Sequence, residues 1–265
     1  MAETIKKIQE EIIVSLWDYL NTFVNKRYRL RETWGKRSEI ADFYCKGKGI
    51  EIGASAYPIK ICSKESKVSY IDCIDRNRTS DLKTVKKLSY VHIDIIDEME
   101  ELSHIKNNSL DFIIHCHVLE HCKNPIGAIK THLAKLKKNG ILFVTIPNKN
   151  YIFDKNRPLT KWEHFIADDE RNQEGYSNAD MDHFREYLRV STNYKGDIEK
   201  EIERLLKDDY RPHFHVWDFD SFYDFLLRVN ERLNNAFVIE HYSENRQHRR
   251  TPQETREIIA VLRKR

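Results

Sequence analysis

Between Gly49 and Pro147 short apolar runs alternate with stretches of helical texture. This rhythm constrains the fold more than any other feature of the chain. Gly49-Ile50-Glu51-Ile52-Gly53, Val68-Ser69-Tyr70-Ile71-Asp72, Val91-His92-Ile93-Asp94, Leu110-Asp111-Phe112-Ile113-Ile114-His115 and Ile141-Leu142-Phe143-Val144-Thr145-Ile146-Pro147 read as five strands. A helix is predicted over 126–136, stopped by Lys137-Lys138-Asn139-Gly140, since cations in a last turn followed by Asn-Gly favour termination. Strands alternating with helices imply parallel pairing through right-handed crossovers. Two further runs, 237–242 and 257–262, are joined by a linker containing Pro252 that is too short for a helical crossover, so they should pair antiparallel. The predicted fold is α/β: a doubly wound seven-stranded mixed sheet with an N-terminal helix and an insertion after the fifth strand.

Four regions follow. Residues 1–40 form an N-terminal helical segment, 41–147 an α/β core, 148–216 the insertion, and 217–265 a helix with the antiparallel strand pair. In the first region Ile5, Ile8, Ile12, Leu16, Leu20 and Phe23 recur at helical spacing. That stripe suits packing on the domain, a lid, or an oligomer contact. Lys plus Arg is 45 and Asp plus Glu 42, a balance that argues against a dedicated nucleic-acid binder. No apolar run is long enough to span a membrane, and MAETIKKIQEE is not a signal peptide. Five cysteines, an odd number with no CxxC pair, of which Cys116 and Cys122 read as reduced core thiols, predict a cytoplasmic protein.

Ligands of open α/β sheets sit outside the carboxyl ends of the strands, near the point where strand order reverses. Gly53 ends the first strand and allows a tight turn against a ligand. Asp72 ends the second, in the place where a carboxylate accepts from ribose hydroxyls, with Asp75 a nearby competitor. Asp94 ends the third. Glu51, Asp72 and Asp94 together point to a nucleoside-like ligand. Ala54, Ser55, Ala56 and Tyr57 follow Gly53, so neither GxGxxG nor GK[ST] is present and a pyrophosphate cradle is not expected.

Glu51-Ile52-Gly53-Ala54-Ser55 resembles motif I of the class I S-adenosylmethionine-dependent methyltransferases. The segment from Ser109 through His117-Val118-Leu119-Glu120-His121 is very similar to the fourth-strand motif of their methyltransferase-11-like group, and Leu136-Lys137-Lys138-Asn139-Gly140 to its turn into the fifth strand. The resemblance implies S-adenosyl-L-methionine as cofactor. Gly53, Ala54 and Ser55 would line its methionine part and Asp72 its ribose. Asp94 and Ile95 would face adenine. His115 would flank the methionine end, partly through backbone, and Glu51 would orient the loop or meet the amino group through water. From Pro147 to Glu170, and at His213-Phe214-His215-Val216-Trp217, the chain looks like methyltransferases found with bacterial surface-polysaccharide biosynthesis. That implies a small, sugar-type acceptor, possible anionic character included, methylated on oxygen.

A hydroxyl acceptor needs its proton removed, and histidine suits that role near neutral pH. His215 and His213, on one side of an extended segment, are the leading candidates for the base, with His164 next. Lys149, Arg157, Lys161 and Arg185 could clamp an anionic group, or could be solvated charge. Tyr151, Phe153, Phe165 and Tyr176 would cover the site or, more simply, build a small core for the insertion. No metal site is expected: His213 and His215 lack a firm third ligand, and His117, Glu120 and His121 are not in HExxH order. Small-molecule N-methylation and a non-catalytic cofactor-binding protein are the alternative readings.

Overall fold

The computed structural model describes residues 35–73, 90–171, 176–247 and 255–265. The N-terminal stripe and Asp75 therefore lie outside the described residues. Helix α1 (Gly35–Tyr44) leads into β1 (Gly47–Ile52), then β2 (Ser66–Asp72), β3 (Ile95–Ile96) and β4 (Leu110–Cys116). Helix α2 (Pro125–Lys135) and β5 (Leu136–Pro147) follow. Next come α3 (Trp162–Glu170), α4 (Asn178–Glu186), a π turn (Tyr187–Ser191) and α5 (Ile198–Lys207). The chain closes with α6 (Phe219–Arg232), β6 (Phe237–Gln247) and β7 (Thr255–Lys264).

The seven strands run in the order β3-β2-β1-β4-β5-β7-β6, parallel up to β5 and antiparallel at β7 and β6. Period-two alternation distributes the side chains of β4 over two layers. Ile113 joins Ile50, Ile52, Ile71, Leu142 and the inner faces of α2 and α6. Phe112 and Ile114 join Phe143, Ile259 and, from α1, Ala41. Helix α2 begins with Asn124 capping Gly127 N–H and Pro125 in the first turn, a strong start signal. It stops one residue before the predicted end because Leu136 pairs with Leu110 and opens β5. Asn139 then takes the left-handed turn at φ 65° inside the longer strand.

Residues 148–216 leave and re-enter the sheet at one place. Asn148 bridges Trp217, and Lys149 N–H donates to the Trp217 carbonyl at 2.9 Å. Trp217 is fully buried and stacks on Phe165 at 5.4 Å. Phe165 thus belongs to the main core. The small core of this region is Phe184, Leu188, Ile202, Leu205 and Phe214 instead. Tyr176 and Phe153 stay substantially exposed, so the four aromatics singled out in the sequence do not form that core.

Candidate active site

β1 lies between β2 and β4, so strand order reverses there, and open α/β sheets bind ligands outside the carboxyl ends at such a point. Gly53 leaves β1 at φ 67°, in the left-handed region that favours glycine. A Cβ there would stand 3.0 Å from Val118 Cγ2, so the loop after β1 closes directly on the turn after β4. Gly53 N–H donates to Ile71 O at 2.8 Å, and the Ser55 carbonyl accepts from Val91 N–H at 3.0 Å. Ala54 is buried in the same loop. Both carboxylate oxygens of buried Glu51 accept from Ile59 N–H, at 3.0 and 3.1 Å. Burial pushes this carboxyl up to about 8, against the hydrogen bond and the Arg37 charge. These bonds tie Glu51 to the loop that follows β1.

Asp72, 5% exposed, ends β2 in register with Ile96. The third strand departs from the prediction: it is Ile95–Ile96, with Asp94 before it. The Asp94 carboxylate accepts from Tyr70 N–H at 2.7 Å and its own N–H donates to Tyr70 O at 2.9 Å. Those bonds tie Asp94 to the edge of β2 through its backbone and one carboxylate oxygen. Ile95 packs against the core, and alternation leaves Ile96, 53% exposed, as the apolar side chain beside Asp72.

The His115 side chain is turned into the core. Its ring is fully buried, 5.2 Å from that of His132 on α2. Burial drives His115 well below its ordinary range and His132 to about 4, so both are neutral. Odd positions of β4 face the helix layer, so only the backbone of His115 reaches the strand end.

The chain turns after β4 at His117, φ 57°. His117 Nε2 meets Glu257 Oε2 at 3.1 Å and Nδ1 lies 3.5 Å from Glu120. Burial lowers the His117 value, but the two carboxylates outweigh it and hold it at about 9. Glu257, on β7, also accepts from Arg37 at 3.1 Å and Asn245 at 2.9 Å. Burial raises it, yet these donors bring it to about 2.

The segment returning from the insertion crosses this turn, with Phe214 N–H donating to Glu120 O at 2.8 Å. The His213 ring lies 4.7 Å from His121 and 4.9 Å from Phe153. Its Nδ1 is 2.6 Å from Oδ2 of fully buried Asp154, which Ser191 and Arg157 also hold. A carboxylate at Nδ1 assigns the proton to that nitrogen and leaves Nε2 as the acceptor.

His213 and His215 do not share surroundings as the extended reading supposed. His215 is fully buried, with Nε2 2.8 Å from Asp168 Oδ2 and its ring against Phe165 and Trp217. No acceptor reaches it there. His164 Nε2 lies 3.0 Å from His183 Nε2, so it too is engaged. Among the clamp cations, Arg157 is buried against Asp154 and Glu186, and also donates to the carbonyls of His213 and Phe214. Lys149 Nζ donates to Lys155 O, and Arg185 pairs with Asp182 and Glu199. These three serve the insertion's own structure. Sequence reading missed Asp154, whose partner is 59 residues away, and the Arg37–Glu257–His117 group. Glu257, an acid opening an otherwise apolar strand, was the one visible signal.

Residues 38–189 match the family described as a methyltransferase domain. The chain belongs to the methyltransferase-domain family. Comparison with curated proteins gives no match. A putative S-adenosylmethionine-dependent methyltransferase from Listeria monocytogenes is 11% identical at TM-score 0.51, covering 88% of this chain and 96% of that one. A protein from Rhodobacter sphaeroides described as a putative Zn-dependent alcohol dehydrogenase is 13% identical at TM-score 0.53, covering 87% and 89%. A methyltransferase from Methanosarcina mazei is 15% identical at TM-score 0.47, covering 85% and 96%. At these identities the first two show a likeness of fold alone. The protein is an S-adenosylmethionine-dependent methyltransferase. The residues at the carboxyl ends of the strands fit that cofactor: a glycine turn that a Cβ would crowd, a buried acid at a strand end, and an exposed apolar side chain beside the acid.

Proposed function

We propose that this methyltransferase O-methylates a small, sugar-type acceptor, free or nucleotide-linked, with His213 as general base. The observation that supports it is the Asp154–His213 pair lying across Glu120, in the turn whose Val118 touches the Gly53 loop. With its proton held at Nδ1 by Asp154, His213 would offer Nε2 to an acceptor at that end of the sheet. The sugar class and a place in bacterial surface-polysaccharide synthesis rest on the resemblance of the insertion segments. Five free cysteines suit the reducing cytoplasm.

Asp72 accepts from the ribose hydroxyls and Ile96 packs on adenine. The backbone of Gly53, Ala54 and Ser55 lines the methionine part. The cofactor supplies an electrophilic sulfonium methyl. The chain's residues align the acceptor, exclude water and move one proton, from the acceptor hydroxyl to His213 Nε2, while Asp154 stabilises the imidazolium that forms. His117, itself cationic, steadies Glu120 beneath. The test is His213→Gln assayed with a panel of sugars, nucleotide sugars and amines. Turnover on a sugar hydroxyl should fall about 10²- to 10⁴-fold while cofactor affinity stays near wild type. Undiminished turnover, or activity confined to amines, would refute the reading.

A further inference from the structure

The four side chains His164, Asp168, His183 and His215 converge in the insertion away from the proposed base. Their ligand-type atoms all lie within 4.8 Å of one another. His164 Nε2 is 3.0 Å from His183 Nε2 and 3.3 Å from Asp168 Oδ2, which is 2.8 Å from His215 Nε2. Four ligands bonded tetrahedrally at about 2.0–2.1 Å sit about 3.3 Å apart. These three of the six edges equal that spacing or fall short of it by up to about half an ångström, and the other three lie within 4.8 Å. The three imidazole planes cross at 88°, 71° and 65°, with ring centroids 4.8, 5.3 and 5.5 Å apart.

We propose that His164, His183, His215 and Asp168 bind one zinc ion in a closed, tetrahedral, structural site. Three imidazoles and one carboxylate form a donor set suited to zinc. All four positions are filled by protein, so none is open for catalysis. Asp168 uses Oδ2 towards the centre, while its Oδ1 accepts from Arg171 at 2.6 Å, an outer contact that orients the ligand. His164, 38% exposed, gives the ion an entry path. The site would pin α3 and α4 to the segment that returns to Trp217, and through it hold the insertion on the sheet. It is independent of the Asp154–His213 reading, since neither residue is a ligand.

The competing arrangement is a metal-free hydrogen-bonded cluster, in which His215 carries its proton on Nε2. His215 Nδ1 has no partner among the described residues, which that tautomer would tolerate. The test uses the full chain, untagged and purified without chelator. Elemental analysis should find about one zinc per chain, and a strong chelator should lower Tm, with added zinc restoring it. Cobalt substitution should give the intense visible bands of four-coordinate Co²⁺. His164→Gln, at the exposed corner, should weaken zinc binding by more than the roughly 10–100-fold that loss of an outer contact costs. Metal-free protein whose Tm is indifferent to chelator and zinc, or zinc affinity unchanged in His164→Gln, would overturn the proposal.

Discussion

Replacing Glu257 by Gln keeps the shape of the side chain and removes its charge, so it isolates what that charge does. Glu257 is 1% exposed and meets His117, Arg37 and Asn245 at 3.1, 3.1 and 2.9 Å. Breaking a buried ion pair from one side costs about 3–5 kcal/mol, and the Gln carbonyl should recover about 1 kcal/mol of that as a hydrogen bond. A net loss of about 2–4 kcal/mol near neutral pH follows. The variant should also change the pH dependence. His117 stands at about 9 when folded against 6.5 as the ordinary value. A raised histidine contributes fully below 6.5, and the contribution is lost as pH climbs through 9. For the wild type that loss amounts to at most about 3 kcal/mol, reduced by solvent because the side chain is partly exposed. In Glu257→Gln the imidazolium keeps Glu120 as its named carboxylate, so its value should drop and the slope above neutrality should shrink. Glu257, at about 2, contributes above 4.5 and loses that as pH falls towards 2. The variant should lose this acid-side term as well. Urea unfolding at several pH values between about 4 and 9 reads both effects. A variant with wild-type stability, or with the same slope above neutrality, would refute this account of the group.

Asp154→Asn should flatten the pH profile of turnover and cut kcat, because the tautomer of His213 is no longer fixed; an unchanged profile would remove Asp154 from the mechanism. Gly53→Ala adds a Cβ 3.0 Å from Val118 in a left-handed backbone. It should cost about 1–2 kcal/mol of stability and weaken cofactor binding, as calorimetry would show. Trp217→Ala empties the junction between sheet and insertion and should destabilise the fold by about 3–5 kcal/mol in denaturant titration.

The sheet was legible because its signal is local. Apolar runs of β1, β4 and β5 and the helical pattern over 126–136 each declare themselves within a few residues. The strand pair β6 and β7 followed from linker length alone. β3 was misplaced because 91–94 has strand-like alternation while the pairing to Ile71 and Asp72 starts only at Ile95. Nothing in that stretch separates the two registers. The insertion was opaque for a different reason. Its histidines were visible, but their partners are set by tertiary packing: Asp154 for His213, Asp168 for His215, His183 for His164. Spacing along an extended segment put His213 and His215 together. Burial put them in different surroundings, and it took His215 away from any acceptor.

The most direct measurement is cofactor titration of the wild type, Asp72→Asn and His213→Gln, each followed by a single-turnover methyl-transfer assay on the best sugar acceptor. The account predicts tight binding by wild type and His213→Gln, with Asp72→Asn weakened by at least about tenfold, the loss of one charge-assisted hydrogen bond. It predicts transfer by wild type and almost none by His213→Gln. Wild-type affinity in Asp72→Asn, or full transfer by His213→Gln, would contradict it.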